Sequence, residues 1–428
     1  MKHLIVSVAG LGYRKLEAAR SLQIAGLAFQ PAASVFPAVT CVAQASFRTA
    51  AEPCVHGMTS NGHYSRVLCK PAFWEQSAAL VQGPRIWDAA RVQGARVGMY
   101  FWQQSLGESV DSVISPAPIH KHGGGMIMRN YVQPADWGET LNLRCGTFPL
   151  HRYWGPLASP KVGRAVLANF FALMETHEPD IAFLYLPTLD YAAQRSGPGS
   201  AADAAALREF TGQLQQLAAF AERRGAALTV CGDYEITRAD QPPAYPNVTL
   251  RTAGFFRVRP VAARTYPDFY TSRAFALADH EIAHVYVRHR EDIEPVAQLL
   301  RETGDYTTVE VKKDQTWAHA SAGEILLVAR PGSWCAYPWW TNPREAPDYA
   351  THIDIHNKPG YDPCELFFGR LFPPGTCQDG RRIQGTHGRP STVAWASTIP
   401  GLSADSMIAL ARALPLAARS HAGDGHDR

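Results

Sequence analysis

Short, mainly apolar runs recur along this chain at wide spacing, and that pattern narrows the fold before anything else is considered. They occupy residues 4–8, 182–186, 227–230, 284–287 and 325–329. A strand with one wet face alternates apolar and polar residues, whereas an unbroken apolar run of this length belongs to a strand covered on both faces. The intervening segments carry helical spacing instead. Val162, Val166, Phe170 and Leu173 recur at three- and four-residue steps, as do Leu207, Phe210, Leu214, Leu217 and Phe220. Strands alternating with amphipathic helices predict an α/β fold with a mainly parallel central sheet and helices on both faces.

The 428 residues are 46% apolar and 18% charged, enough to bury a large core. We read residues 1–419 as a single α/β domain and residues 420–428 as a disordered tail. The stretch from about 70 to 160 holds Trp74, Trp87, Trp102, Trp137 and Trp154 among many Gly and Pro residues, and reads as an inserted cap. A net charge of +3 from scattered Lys and Arg excludes the basic footprint of a nucleic-acid binder. No run reaches the roughly 20 apolar residues of a membrane helix. The eight cysteines form no Cys-x-x-Cys pair, as expected of reduced thiols in a cytoplasmic protein.

Ligands of such sheets bind beyond the carboxyl ends of the strands, so the polar residues just after each apolar run are the candidates. These are Ala9-Gly10, Asp190 and Gly232-Asp233-Tyr234. Asp190 and, four residues on, Gln194 keep the frame of a metal-binding loop, with an amide where a histidine is expected. Thr40 follows Phe36-Pro37 and precedes a helical run, 42–49. Free N–H groups and the positive helix end there favour an anionic ligand and a developing alkoxide. A threonine at that place also serves simply as a helix cap.

Several motifs then fall in a familiar order: Thr49-Ala50-Ala51-Glu52-Pro53-Cys54-Val55-His56-Gly57 with Asn61, Tyr185-Leu186-Pro187-Thr188-Leu189-Asp190, Cys231-Gly232-Asp233-Tyr234, and His356-Asn357-Lys358-Pro359-Gly360-Tyr361-Asp362. In these the chain resembles the type I phosphodiesterase and nucleotide pyrophosphatase branch of the alkaline phosphatase superfamily. The resemblance implies an alkaline-phosphatase-like fold, Thr40 as nucleophile and Asn61 as a phosphate ligand. It also implies two divalent cations, zinc foremost. One set of ligands maps to Asp190, Gln194 and His356, the other to Ala9, Thr40, Asp233 and Tyr234.

Three positions depart from the family pattern. Ala9 has no donor, the Tyr234 phenol with a pKa around 10 is a poor ligand near neutrality, and Gln194 offers a neutral oxygen. The expectation is a centre of one or two ions, reduced or rebuilt. Asp279 and His280 in Ala278-Asp279-His280-Glu281, and His387 between Thr386 and Gly388, are candidate additions, as is the alternating His352, Asp354 and His356. These segments resemble those of a bacterial subgroup of alkaline-phosphatase-like proteins. Function then divides three ways: a metal-dependent hydrolase of small phosphate mono- or diesters, an impaired relative that binds a phosphorylated metabolite or partner, or phosphoryl transfer or phosphonate or sulfate ester hydrolysis.

Overall fold

A computed structural model describes residues 1–123, 125–353, 363–370 and 374–416. The tail expected over 420–428 and the candidates Asp354, His356, Tyr361 and Asp362 lie outside the described residues. The eight-stranded central sheet runs Tyr131–Gln133, Ser112–Ser115, Val97–Tyr100, Ile181–Leu186, His3–Val8, Ala227–Gly232, Thr392–Ser397, Gln30–Ala33. Its middle five strands, from Ser112–Ser115 to Ala227–Gly232, are mutually parallel, and the outer strands are antiparallel to their neighbours. The apolar runs at 4–8, 182–186 and 227–230 lie in its centre, as their two-sided hydrophobicity requires.

The helix Ala201–Arg223 begins at Ser200, whose hydroxyl accepts the Asp203 N–H, and buries Leu207, Phe210, Leu214, Leu217 and Phe220. The helix Val162–Met174 packs beside it, with Phe170 and Phe220 at 5.6 Å between ring centroids. Phe183 faces Trp87 and Trp102 at 4.9 and 5.4 Å. Trp102 in turn meets Phe47 of the helix Thr40–Thr49 at 6.0 Å. Side chains two apart on a strand share a face, so Tyr185 lies on the same side as Phe183 and that helix.

Two expectations are corrected. The runs at 284–287 and 325–329 do not join the central sheet. They belong to a four-stranded antiparallel sheet ordered Ala274–Asp279, Ile282–Val287, Ile325–Ala329, Tyr306–Val311, with its own core under the helix Ile293–Thr303. An apolar run reports burial on two faces and is silent about which sheet supplies the neighbours. The segment from 70 to 160 is not wholly a cap either: three of its strands extend the central sheet, and Trp87, Trp102 and Trp137 lie in the main core.

Candidate functional site

The strand His3–Val8 pairs in register with both neighbours, Val8 standing opposite Leu186 and Gly232. The three strands therefore end level, and the residues just past them converge although they come from distant parts of the chain. Asp190 opens the short helix Asp190–Ser196, while Asp233 and Tyr234 follow the strand Ala227–Gly232 directly. Gly10 turns the chain at φ +68°, and its N–H donates to Asp233 Oδ1 at 3.1 Å. The same oxygen accepts the Tyr234 N–H at 2.9 Å.

Both carboxylates are buried, and both hold their protons more tightly than usual. Asp190 is pushed up to about 6 by burial, against hydrogen bonds from Gln194 and Tyr234 that pull it down. Asp233 is raised well above the ordinary carboxylate range, first by burial and then by the Asp190 charge. Gln194 Nε2 donates to Asp190 Oδ1 at 2.6 Å across one helical turn. Two buried acceptors, Asp233 Oδ2 and Gln194 Oε1, have no hydrogen-bond partner among the described residues. Buried oxygens are seldom left so, and these two mark a place for positive charge.

Thr40 is the first residue of the helix Thr40–Thr49 and is nearly buried. Its hydroxyl donates to the Tyr234 oxygen at 3.4 Å and is also within hydrogen-bond reach of the Tyr185 phenol. The Tyr234 hydroxyl also lies within reach of the Asp190 carboxylate, whose proton affinity it lowers. Its ring stacks on His387 at 3.6 Å with 5° between the planes, and His387 packs on His280 at 3.9 Å. His387 Nδ1 bonds the Ala38 carbonyl at 3.0 Å. A carbonyl only accepts, so that nitrogen carries the hydrogen and Nε2 the lone pair. Burial holds this imidazole down to about 3, a neutral ring at any ordinary pH.

Asn61 sits one layer away and is fixed on every side. Its Oδ1 accepts the Cys41 N–H at 3.0 Å, which places it against the first turn of the Thr40 helix. Its Nδ2 and backbone N–H donate to Asp279 at 2.9 and 2.7 Å, and Ser60 Oγ donates to the same carboxylate at 2.8 Å. Burial still lifts Asp279 to about 6. Asp279 and His280 lie at the tip of the hairpin Ala274–Asp279/Ile282–Val287, so the antiparallel sheet delivers them to the central one. His280 takes φ +58°, a costly conformation for a residue with a Cβ, held where its ring meets His387.

A cavity of ≈ 500 Å³ opens over Thr40, Tyr185 and Asp190, walled by Trp74, Tyr153, Trp154 and Tyr191. His120 also lines it. Trp154 thus stands where a substrate ring could stack, whereas Trp102 is fully buried away from the cavity. Tyr185 was missed by sequence reasoning. Its signal was the last inward position of a strand facing the Thr40 helix.

These positions bring Thr40, Asp190, Gln194, Asp233, Tyr234 and His387 into one cluster, with Asn61, Asp279 and His280 adjoining it. Among the described residues no group of three or more His, Cys, Asp or Glu side chains forms a metal cluster. Asp190, Asp233 and Gln194 offer oxygen donors suited to one cation. Among the described residues, two of the four positions that the resemblance gives to a second cation are poor donors, because Ala9 ends in a methyl group and the Tyr234 hydroxyl is engaged with Thr40.

A helix-borne hydroxyl over buried carboxylates, beyond level parallel strands, is the architecture of the alkaline phosphatase superfamily. The chain belongs to the type I phosphodiesterase / nucleotide pyrophosphatase family, whose model matches residues 16–362. Its fold is similar to phosphonoacetate hydrolase from Sinorhizobium meliloti 1021 in complex with phosphonoacetate, at TM-score 0.63 and 17% identity over 96% of this chain and 95% of that one. It is also similar to murine ectonucleotide pyrophosphatase/phosphodiesterase 5, at TM-score 0.57 and 13% identity over 95% and 90%. An inactive threonine-to-alanine variant of the murine protein, in complex with AMP, aligns at TM-score 0.55 and 13% identity over the same shares. No curated protein sequence matches the chain. Among the described residues no helix is long and apolar enough to cross a membrane.

Proposed function

We propose that this protein hydrolyses small phosphate mono- or diesters with Thr40 as the nucleophile. The observation that carries the reading is Thr40 itself, at a helix N-terminus and facing a cavity that Asp190 also lines, in a cluster where the buried Asp233 Oδ2 has no hydrogen-bond partner among the described residues. Asp190, Asp233 and Gln194 would hold a divalent cation. The described donors are all oxygens, which suit magnesium or manganese, and zinc is favoured by the imidazole of His356 that the family resemblance adds. When bound, such an ion neutralises phosphate charge and lowers the barrier to attack.

The residues of the chain do the rest. Thr40 Oγ1 forms a bond to phosphorus as the bond to the leaving oxygen breaks, and water then displaces the threonine. Asn61 takes the Cys41 N–H and so holds the first turn of the Thr40 helix, whose positive end would favour the same anion. The cavity walls take the leaving group and exclude water. Eight free cysteines support a reducing, cytoplasmic location.

A phosphonate or sulfate ester is the second reading, favoured by the fold shared with phosphonoacetate hydrolase. The impaired binder draws its support from Ala9 and Tyr234. Turnover of an aryl phosphate, an aryl phosphodiester, an aryl sulfate and phosphonoacetate by wild type and Thr40→Ala separates the three. Hydrolysis unaffected by T40A would refute Thr40 as nucleophile, and phosphate-ester binding without any turnover would establish the binder.

A further inference from the structure

The hydroxyl of Tyr234 stands beside Thr40, at a place that the family resemblance gives to a ligand of the second cation. It accepts from Thr40 at 3.4 Å on one side and lies within reach of the Asp190 carboxylate on the other. We propose that this hydroxyl fills the position of a second cation, so that the folded protein takes a single divalent ion, held on the side of Asp190, Asp233 and Gln194. The inference rests on reading Thr40 and Asp190 as a hydrolytic centre.

Three observations independent of the hydrogen bonds agree with it. The Tyr234 ring is 1% exposed and lies flat on His387, which is itself tied to the Ala38 carbonyl and packed on His280. Swinging the phenol aside to admit an ion would break that stack inside a close-packed core, where no space waits to receive it. Ala9, level with the strand ends on the opposite flank, contributes only a methyl group and is fully buried. Of the two oxygens without partners among the described residues, Gln194 Oε1 belongs to the Asp190 set, and Asp233 Oδ2 is the one carboxylate oxygen that the Ala9, Thr40 and Tyr234 set offers.

The substitution also has chemical content. A phenol can accept the Thr40 hydrogen bond and donate to a carboxylate at once, which a cation does by charge alone. It holds the nucleophile in place without adding the positive charge of a second ion. The remaining ion must then carry the neutralisation alone, and a monoester dianion, which brings more negative charge than a diester, is the worse served of the two substrates. Diesters are therefore the favoured class.

Manganese binding to the metal-stripped full chain tests this without relying on turnover. Calorimetric stoichiometry and the electron spin resonance spectrum are read on wild type, Ala9→Asp/Tyr234→His and Ala9→Asp alone. The expected result is one magnetically isolated Mn²⁺ per wild-type chain, and a second, spin-coupled to the first, only in the double variant. Circular dichroism checks that the variants are folded, and the wild-type stoichiometry decides the matter even if they are not. Two coupled ions in wild type would overturn this inference and leave the hydrolytic reading intact. A folded double variant that still takes one ion would also overturn it, as would a higher kcat/KM for aryl monoester than for diester. No ion in wild type, with hydrolysis undiminished, would overturn both the inference and the metal dependence proposed above.

Discussion

Lowering the pH should strip the cation from this site, and the size of the effect follows from the two buried aspartates. A carboxylate must lose its proton to bind a metal, so the apparent affinity falls wherever protons compete. With Asp190 titrating at about 6, roughly nine-tenths of it is ionised at pH 7 and roughly one-tenth at pH 5. Its protonation alone weakens binding about tenfold over that range. Asp233 is raised further and acts in the same direction, adding at most about tenfold for each unit. The apparent Kd for Mn²⁺ should therefore rise between about tenfold and about a thousandfold from pH 7 to pH 5. Calorimetry in buffers of different ionisation enthalpy measures both this slope and the protons released. An affinity that is flat or tighter at acid pH, or binding that releases no proton at pH 6, would refute the reading of these carboxylates as protonated cation ligands.

Further substitutions separate site from scaffold. Tyr234→Phe keeps the stack on His387 but removes the hydroxyl that accepts from Thr40, and should lower kcat/KM by about tenfold to a hundredfold with a stability loss of about 1–2 kcal/mol. An unchanged kcat/KM would show that Thr40 needs no such partner. Trp154→Ala opens the cavity wall away from Thr40, so KM for an aryl ester should rise severalfold while kcat moves little. Ser200→Ala removes the cap on the Asp203 N–H and should cost about 1 kcal/mol in denaturant unfolding with activity unaltered. A matching loss of activity there would mean that the helix Ala201–Arg223 supports the site more directly than its contacts indicate.

The parts of the site that could be read in the sequence are those that local rules place. Asp190, Asp233 and Tyr234 follow directly after buried parallel strands, and such residues have little choice but to meet at the sheet edge once the register aligns Val8 with Leu186 and Gly232. Thr40 was legible for a similar reason, as a hydroxyl at the start of a helical period. The hairpin tip that brings Asp279 to Asn61 and His280 to His387 carries no such signal. Its strands are as apolar as those of the central sheet, and nothing in a run of Ala, Leu and Val says that its partners are antiparallel neighbours in a second sheet. The local clue, a histidine forced to φ +58° at a two-residue turn, exists only in three dimensions.

The cap shows the same limit from the other side. Tryptophan density over 70–160 marks a place where large side chains must be covered, but Trp87 and Trp102 are covered by Phe183 of a central strand, whereas Trp74 and Trp154 face the cavity. Composition cannot divide these, because an indole in a core and an indole in a binding wall satisfy the same hydrophobic demand. Tyr234 is the instructive case between the two. Its identity at the place of an expected ligand signals a departure, and only its hydroxyl's position between Thr40 and Asp190 shows that the departure has a geometry of its own. A site that had merely decayed would have no need to keep a buried phenol placed between Thr40 and Asp190, since each buried polar group must be satisfied to avoid a cost of about 1–3 kcal/mol.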